Sequence, residues 1–314
     1  MAPKIAKYKC LFTFSGKTFE HEDTIYTLAS KQDCLNFRNF ADSDDGFVLR
    51  YDDKNVVVWD KKVEGESMRI VKVFSLFPDT APEQLWDLLQ ESVYRLKWDL
   101  VCKKCKTIVR MDSRNDICYY ASKCPPGVSD RDVVCQRGWH NAGNGEYVIL
   151  NTSVKHNSCP EKLTYTRAWS KLSGYLIRPH EKGSSLIFIS QTDPKGLIPH
   201  ALMNQLMTKF VPDTMCTLQR AAKGFPEFLK SEGDKFKRDW DLPADPWDVP
   251  VPDITLDIIK SRWFSGSSAP PPVEDVVSPD SPTEEQKLPA DEEDVASPVT
   301  DGAVRKSVID DDDI

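Results

Sequence analysis

From Thr107 to Thr192 the chain is a succession of short β-rich runs, and no other stretch restricts its fold as tightly. Thr107 to Met111, Ile117 to Lys123, Val133 to Trp139, Tyr147 to Val154 and Leu163 to Trp169 come first, then Ser173 to Arg178 and Ser185 to Thr192. Turns such as Asn141-Ala142-Gly143-Asn144-Gly145 are short and rich in Gly and Asn, so consecutive strands are expected to pair as antiparallel hairpins. Leu163, Tyr165, Arg167 and Trp169 alternate with Thr164, Thr166, Ala168 and Ser170, the pattern of a sheet with one face toward solvent and one toward an interior. Asn55 to Trp59 and Met68 to Phe74 read as strands upstream, and Lys31 to Phe40 as a short helix. A single curved antiparallel sheet with helices, an α+β fold, is the expectation.

Two amphipathic segments flank this sheet. In 82–94, Leu85, Trp86, Leu88, Leu89, Val93 and Tyr94 fall near helical spacing, and Thr80 with Glu83 has the form of a capping box. Beyond the last strand, Leu202, Met203, Leu206, Met207, Phe210 and Val211 make a broad apolar stripe. Pro212 interrupts it, and Met215, Leu218, Ala222, Phe225 and Leu229 resume it. A long kinked helix with that stripe either closes an ordinary core or lies as a lid over a cavity; the methionines suit an adaptable apolar surface.

The remainder divides by composition into 1–30, an N-terminal extension with Leu11, Phe12, Phe14 and Phe19; a folded body over 31–230; a proline-rich strap over 231–264 that includes Asp241-Leu242-Pro243-Ala244-Asp245-Pro246-Trp247; and 265–314, whose Pro, Ser, Glu and Asp content predicts disorder. That tail holds fourteen acidic against three basic residues, a net of −11, so the total of −8 leaves the first 264 residues at about +3. A mildly basic body suits an anionic membrane surface and lacks the basic excess of a nucleic-acid binder. With neither a leading signal segment nor an apolar run of about eighteen residues, the expected location is cytoplasmic. Nine cysteines in such a chain fit reduced thiols. Cys102-Lys103-Lys104-Cys105 has CxxC spacing without a second pair or a nearby histidine to complete a zinc site. No metal or cofactor is expected.

At the end of the first amphipathic segment stands Tyr94-Arg95-Leu96-Lys97-Trp98-Asp99. Arg95 and Asp99 are four residues apart, which on an exposed helix makes an ion pair worth about 0.3–0.5 kcal/mol. Turned inward, the same arginine requires a carboxylate or an anionic ligand, because an unpaired buried charge costs several kcal/mol. The sequence periodicity leaves both open.

Ordered strings decide the matter by resemblance. Tyr94-Arg95-Leu96-Lys97-Trp98-Asp99, Tyr119-Tyr120 with Pro125-Pro126, Asp130-Arg131-Asp132-Val133, Asn151-Thr152-Ser153-Val154-Lys155-His156, Gly174-Tyr175-Leu176-Ile177 and Asp193-Pro194-Lys195-Gly196 follow one another as in START (StAR-related lipid transfer) domains of the phosphatidylcholine transfer group. The resemblance covers about residues 31 to 230. It implies a helix-grip fold: a curved antiparallel sheet around an apolar cavity, closed by the long C-terminal helix. It also implies intracellular phospholipid transfer, with phosphatidylcholine or phosphatidylethanolamine as ligand and transient, peripheral contact with membranes. By the same resemblance Arg95 binds the lipid phosphate, Asp99 supports it, and Tyr120 and Trp169 surround the head group. Val133 stands where relatives carry a further aromatic, so the cage is thinner here. Leu202, Met203, Leu206, Met207, Phe210 and Met215 would form the gate, together with the loop near 139–146.

In the tail Ser307 and Ser281 have an acid at +3, and Ser278, Ser281 and Ser297 precede proline, so phosphorylation, by an acidophilic kinase at Ser307 and Ser281, is expected to increase repulsion from an anionic bilayer. Asp312-Asp313-Ile314 suits a PDZ groove. Competing functions are a sterol carrier, an acyl-CoA thioesterase-like START protein and a scaffold acting through the tail. His140, His156, His180 and His200 are scattered and no G-x-S-x-G elbow occurs, so no catalytic residue is assigned.

Overall fold

The computed structural model describes residues 13–198 and 209–247. A short antiparallel hairpin, β1 (Thr18–His21) and β2 (Thr24–Thr27), leads into α1 (Lys31–Ala41). Ser30 and Asp33 form the box that starts α1, each side chain accepting from the other's backbone N–H. The main sheet contains β3 (Val48–Asp52), β4 (Val56–Lys61), β5 (Ile70–Pro78), β6 (Cys102–Arg110), β7 (Asn115–Ser122), β8 (Arg131–Gly143), β9 (Glu146–Ser153), β10 (Thr166–Arg167), β11 (Trp169–His180) and β12 (Gly183–Asp193). Its order is β3-β4-β5-β12-β11-β9-β8-β7-β6. These neighbours are antiparallel, and β12 closes back onto β5 across the sequence. Lys103, Lys104 and Lys106 line the edge strand β6, which discourages pairing with another chain.

Strand alternation divides the apolar residues between two layers. Val56, Val58, Val73, Ile149, Ile177 and Leu186 face α2 (Pro82–Gln90), α3 (Ser92–Trp98) and α4 (Val211–Glu232). Val57, Trp59, Phe74, Val148, Leu150, Leu176 and Ile187 face α1 on the other side. Phe37 of α1 explains Gly174: a Cβ there would lie 2.7 Å from its ring. The hairpin β1–β2 covers the same side farther along, where Tyr26 packs with Ile117, Tyr119 and Val134.

Three expectations change. The 82–94 segment is two helices broken at Glu91, which caps the second by accepting from the Val93 N–H. Thr80 and Glu83 form no capping box, because the N-cap is Ala81 and Pro82 occupies the first turn, where its missing N–H is harmless. Leu163 to Trp169 is mostly irregular; Thr166 and Arg167 pair in parallel with β8, and Trp169 already belongs to β11. Pro212 lies in the first turn of α4, directly after a π turn at Lys209 and Phe210, and most of the stripe expected before it lies outside the described residues. Phe210 is half-buried and Met215 is buried against the sheet. Leu202, Met203, Leu206 and Met207, and the tail with Ser278, Ser281, Ser297, Ser307 and its C-terminal residues, lie outside the described residues.

The loop near 139–146 is clamped. Gly143 abuts Ala244, Gly145 sits against Pro179 and Pro82, and Asn141 donates from Nδ2 to the Leu242 carbonyl at 3.0 Å. The clamp is the extended chain after α4. Trp240 donates to the buried Asp87 at 2.9 Å, and Trp247 to the buried Glu146 at 2.7 Å. His140 stacks on Trp247 with ring centroids 4.2 Å apart; its Nε2 donates to the Asp245 carbonyl at 2.8 Å while Nδ1 accepts from Arg114 at 3.2 Å.

Burial, with Arg114 and Lys31 adding to it against the Asp245 carbonyl and carboxylate, lowers the His140 pKa from 6.5. A histidine that resists protonation only when folded contributes stability that is full above about pH 6.5 and is lost as pH falls below it. The urea midpoint should therefore drop between pH 7.5 and 5.5, and His140→Gln should show a smaller drop. An unchanged drop would exclude His140 from the pH response.

Candidate functional site

The break at Glu91 creates the site. Had α2 continued, Arg95 would follow its axis; instead the chain turns and α3 runs beneath the end of α2. Tyr94 is anchored, its hydroxyl donating to the Ala221 carbonyl at 2.8 Å and its ring tilted on Phe228 at 4.7 Å. With Tyr94 spent on α4, the next residue points toward the sheet. Arg95 Nη2 approaches the Leu89 carbonyl at 3.5 Å, at the C-terminal end of α2, where the helix dipole favours a cation.

Asp99 follows one turn later, its Oδ2 3.5 Å from Arg95 Nη1. The two side chains are only 17% and 12% exposed, so this is no surface pair. Tyr120 of β7 donates to the same Asp99 oxygen at 3.0 Å. The carboxylate is thus held from the sheet, and the guanidinium from the helix end. Tyr175 of β11 faces Arg95 from the opposite wall and stacks on Phe188 at 5.0 Å.

Electrostatics match the geometry. Burial works against the charge on Arg95, yet Tyr175, Cys105, Tyr120 and Asp99 outweigh it and raise its pKa. Burial also pushes up the Tyr120 phenol, with Asp99 adding to it and Arg95 opposing. A guanidinium has five N–H donors. Two contacts at 3.5 Å and a facing phenol do not saturate them among the described residues, and such a cation favours an anionic oxygen group bound through parallel hydrogen bonds.

Bulging of β6 brings in two thiols. Cys102 pairs with Ser122 and Cys105 with Tyr120, with a register shift between Cys102 and Lys104. Regular strand residues three apart point to opposite faces. The shift instead sets both sulfurs on the face of Tyr120. The Cys102 thiol donates to Cys105, burial opposes, and Arg95 and Arg137 add to the effect, bringing Cys105 down to about 7. Arg137 lies on the same face, paired at 2.6 Å with the buried Asp116.

Trp169 does not join this group. Ser170 bonds Thr192 at 3.0 Å on the face of Ser173 and Tyr175, and Trp169, opposite Asp193, turns away from it. It lines a groove of about 440 Å³ with Tyr165, Arg167, Lys155 and Lys195. Sequence reasoning assigned no role to Tyr175, although its Gly174-Tyr175-Leu176-Ile177 string was among the matching ones, and it could not see Cys105, whose placement depends on a bulge.

The antiparallel sheet thus packs against α2, α3 and α4 on one face, with a largely buried arginine at the end of α2. The START domain signature matches residues 28–225, and the chain belongs to the START lipid-transfer family. It is 32% identical over 227 residues to "START domain-containing protein 10" of Mus musculus and of Homo sapiens, covering 72% of this chain and 76% of theirs. It is 24% identical over 199 residues to the "Phosphatidylcholine transfer protein" of Bos taurus, covering 62% of this chain and 92% of that one. The crystal structure of human STARD10 superposes with a TM-score of 0.64 at 30% identity, over 70% of this chain and 93% of that one. One of these relatives is named for phosphatidylcholine transfer. No described helix is long and apolar enough to cross a membrane.

At pH 7 iodoacetamide should alkylate Cys105 well ahead of Cys102, whose thiol is pushed up by its hydrogen bond to Cys105 and by burial. Arg95→Gln should slow that reaction, read by peptide mass spectrometry. Equal rates in the two proteins would mean that Arg95 does not face Cys105.

Proposed function

We propose that the chain carries one phospholipid, phosphatidylcholine or phosphatidylethanolamine, between membranes, with Arg95 receiving the phosphate and Asp99 holding Arg95 in place. The observation that carries this is the largely buried Arg95 guanidinium, held by two 3.5 Å contacts and braced through Asp99 by Tyr120. The names of the relatives point the same way, since one group is named for phosphatidylcholine transfer. A sterol lacks the phosphate that would occupy Arg95.

Transfer energetics make a protein carrier necessary. Two ordinary acyl chains contain roughly thirty methylenes, and at about 0.8 kcal/mol each their exposure to water costs on the order of 20 kcal/mol. A carrier replaces the bilayer with an apolar interior and exchanges its ligand while it touches a membrane. Tyr120 offers its ring to the head group, and Val133 stands directly across from it in the β7–β8 register. Trp169, in its separate groove, is not assigned to the head group.

Lipids extracted from the purified protein and identified by mass spectrometry test the ligand: phospholipid supports the carrier, a sterol or no lipid overturns it. Arg95→Gln should reduce transfer between vesicles at least tenfold with the fold intact. Tyr120→Ala should weaken phosphatidylcholine transfer and Trp169→Ala should leave it near wild type. Wild-type transfer by Arg95→Gln would remove the phosphate anchor.

A further inference from the structure

The hairpin β1–β2 carries two chemistry-bearing residues that the lipid site does not use. Its turn has Glu22 at φ 47° and Asp23 at φ 59°, the left-handed pair of a tight two-residue hairpin connection. That turn lies against the segment leaving β9. Tyr26 donates to the Lys155 carbonyl at 3.0 Å, Asn157 Nδ2 donates to the Glu22 carbonyl at 2.7 Å, and Ser158 Oγ donates to Glu22 Oε1 at 2.6 Å. His21 and His156, far apart in sequence, meet with ring centroids 5.4 Å apart.

We propose that His21, Glu22 and His156 form a binding site for a zinc-class divalent cation that fastens the N-terminal hairpin to the end of β9. One ligand atom from each residue lies within 4.8 Å of the other two. Glu22 Oε2 is 3.6 Å from His156 Nδ1, and Glu22 Oε1 is 3.9 Å from His21 Nε2. Bonds of about 2.0–2.1 Å in a tetrahedron set ligand atoms about 3.3 Å apart, so modest side-chain rotation at the hairpin tip closes the site. Two imidazoles and a carboxylate are a donor set for zinc, with water completing the fourth position.

Two features separate this cluster from a chance surface grouping. His156 has a fully buried side chain that presents Nδ1 to the Glu22 carboxylate, and its Nε2 has no hydrogen-bond partner among the described residues. The Glu22 carboxylate is already oriented by Ser158, as outer groups orient a metal-binding carboxylate, and Asn157 holds the Glu22 backbone. Cation binding at His156 Nδ1 replaces one 3.2 Å bond from the Ser158 N–H and leaves Nε2 carrying the ring proton. The sequence expectation of no metal rested on histidine spacing, which cannot show a pair brought together by a hairpin folding onto a distant strand.

Titrating the full chain with zinc chloride by calorimetry, with hydrogen exchange of residues 18–27 as a second readout, tests the site. One zinc per chain with micromolar affinity is expected, with slower exchange in the hairpin. His21→Gln removes a half-exposed ligand outside the core and should weaken binding by about 10- to 100-fold or more and abolish the exchange protection. Cys102→Ser should change neither. Undiminished binding in His21→Gln, or binding lost in Cys102→Ser instead, overturns the proposal, as does the absence of zinc binding in the wild-type chain.

Discussion

Glu146 is the carboxylate on which the fold's closure depends. It is fully buried at the start of β9, where it accepts from Arg38 of α1 at 2.6 Å, Arg178 of β11 at 3.1 Å and Trp247 at 2.7 Å. Arg178 passes the connection to Asp42 at the end of α1, at 2.6 Å. An unpaired charge at such a depth costs several kcal/mol, and removing one partner of a buried pair costs about 3–5 kcal/mol, so these groups hold one another in a single arrangement. One side chain thereby fixes α1, two strands and the chain beyond α4. That face of the sheet is sealed, and adaptation to a ligand falls to the other face.

On the ligand face the polar groups follow a different logic. Arg137 and Asp116 satisfy each other in parallel contacts at 2.7 and 2.6 Å, whereas Arg95 meets Asp99 at a single 3.5 Å contact. Two guanidiniums in one protein face thus differ in how completely they are paired. Saturation suits a structural pair, and the incomplete pairing of a braced, mostly buried cation is what the proposed phosphate role requires of Arg95. The bracing matters because Tyr120 and Arg95 share one oxygen of Asp99, so the phenol limits how far the carboxylate can follow the guanidinium.

The sheet was legible because a β-rich run is a local property of each strand: Asn55 to Trp59 reads as a strand from its valines, and the pleat then sends Val57 to one core and Val56 and Val58 to the other. The break at Glu91 was not legible, since Leu88, Leu89, Val93 and Tyr94 keep near-helical spacing across it; tertiary contact of Tyr94 with α4 overrides the pattern. Strand β3 was missed because its residues are half-exposed and lack an apolar run. At the site, the Arg95–Asp99 spacing was visible but its burial was not. The shared face of Cys102 and Cys105 depends on a register shift that no spacing encodes, and the seating of Trp169 away from Tyr120 depends on a further shift between Ser170 and Leu172.

That second shift bears on how a carrier of this design would choose among head groups. A phosphate bound to Arg95 is common to all glycerophospholipids, so the anchor can set affinity without setting choice. Choice falls to the groups beyond it, and an aromatic face attracts a quaternary ammonium by roughly 0.5–2 kcal/mol. With Val133 opposite Tyr120 and Trp169 turned into another groove, Tyr120 and Tyr175 are the rings that the sheet presents to Arg95. One such contact gives a preference of about tenfold, since 1.4 kcal/mol is a factor of ten. Ethanolamine forfeits the contact but keeps three N–H donors, which polar neighbours can satisfy. On the proposed phosphate anchor at Arg95, a carrier of this design would hold either head group by the same contact and discriminate between them through the aromatic faces beyond it.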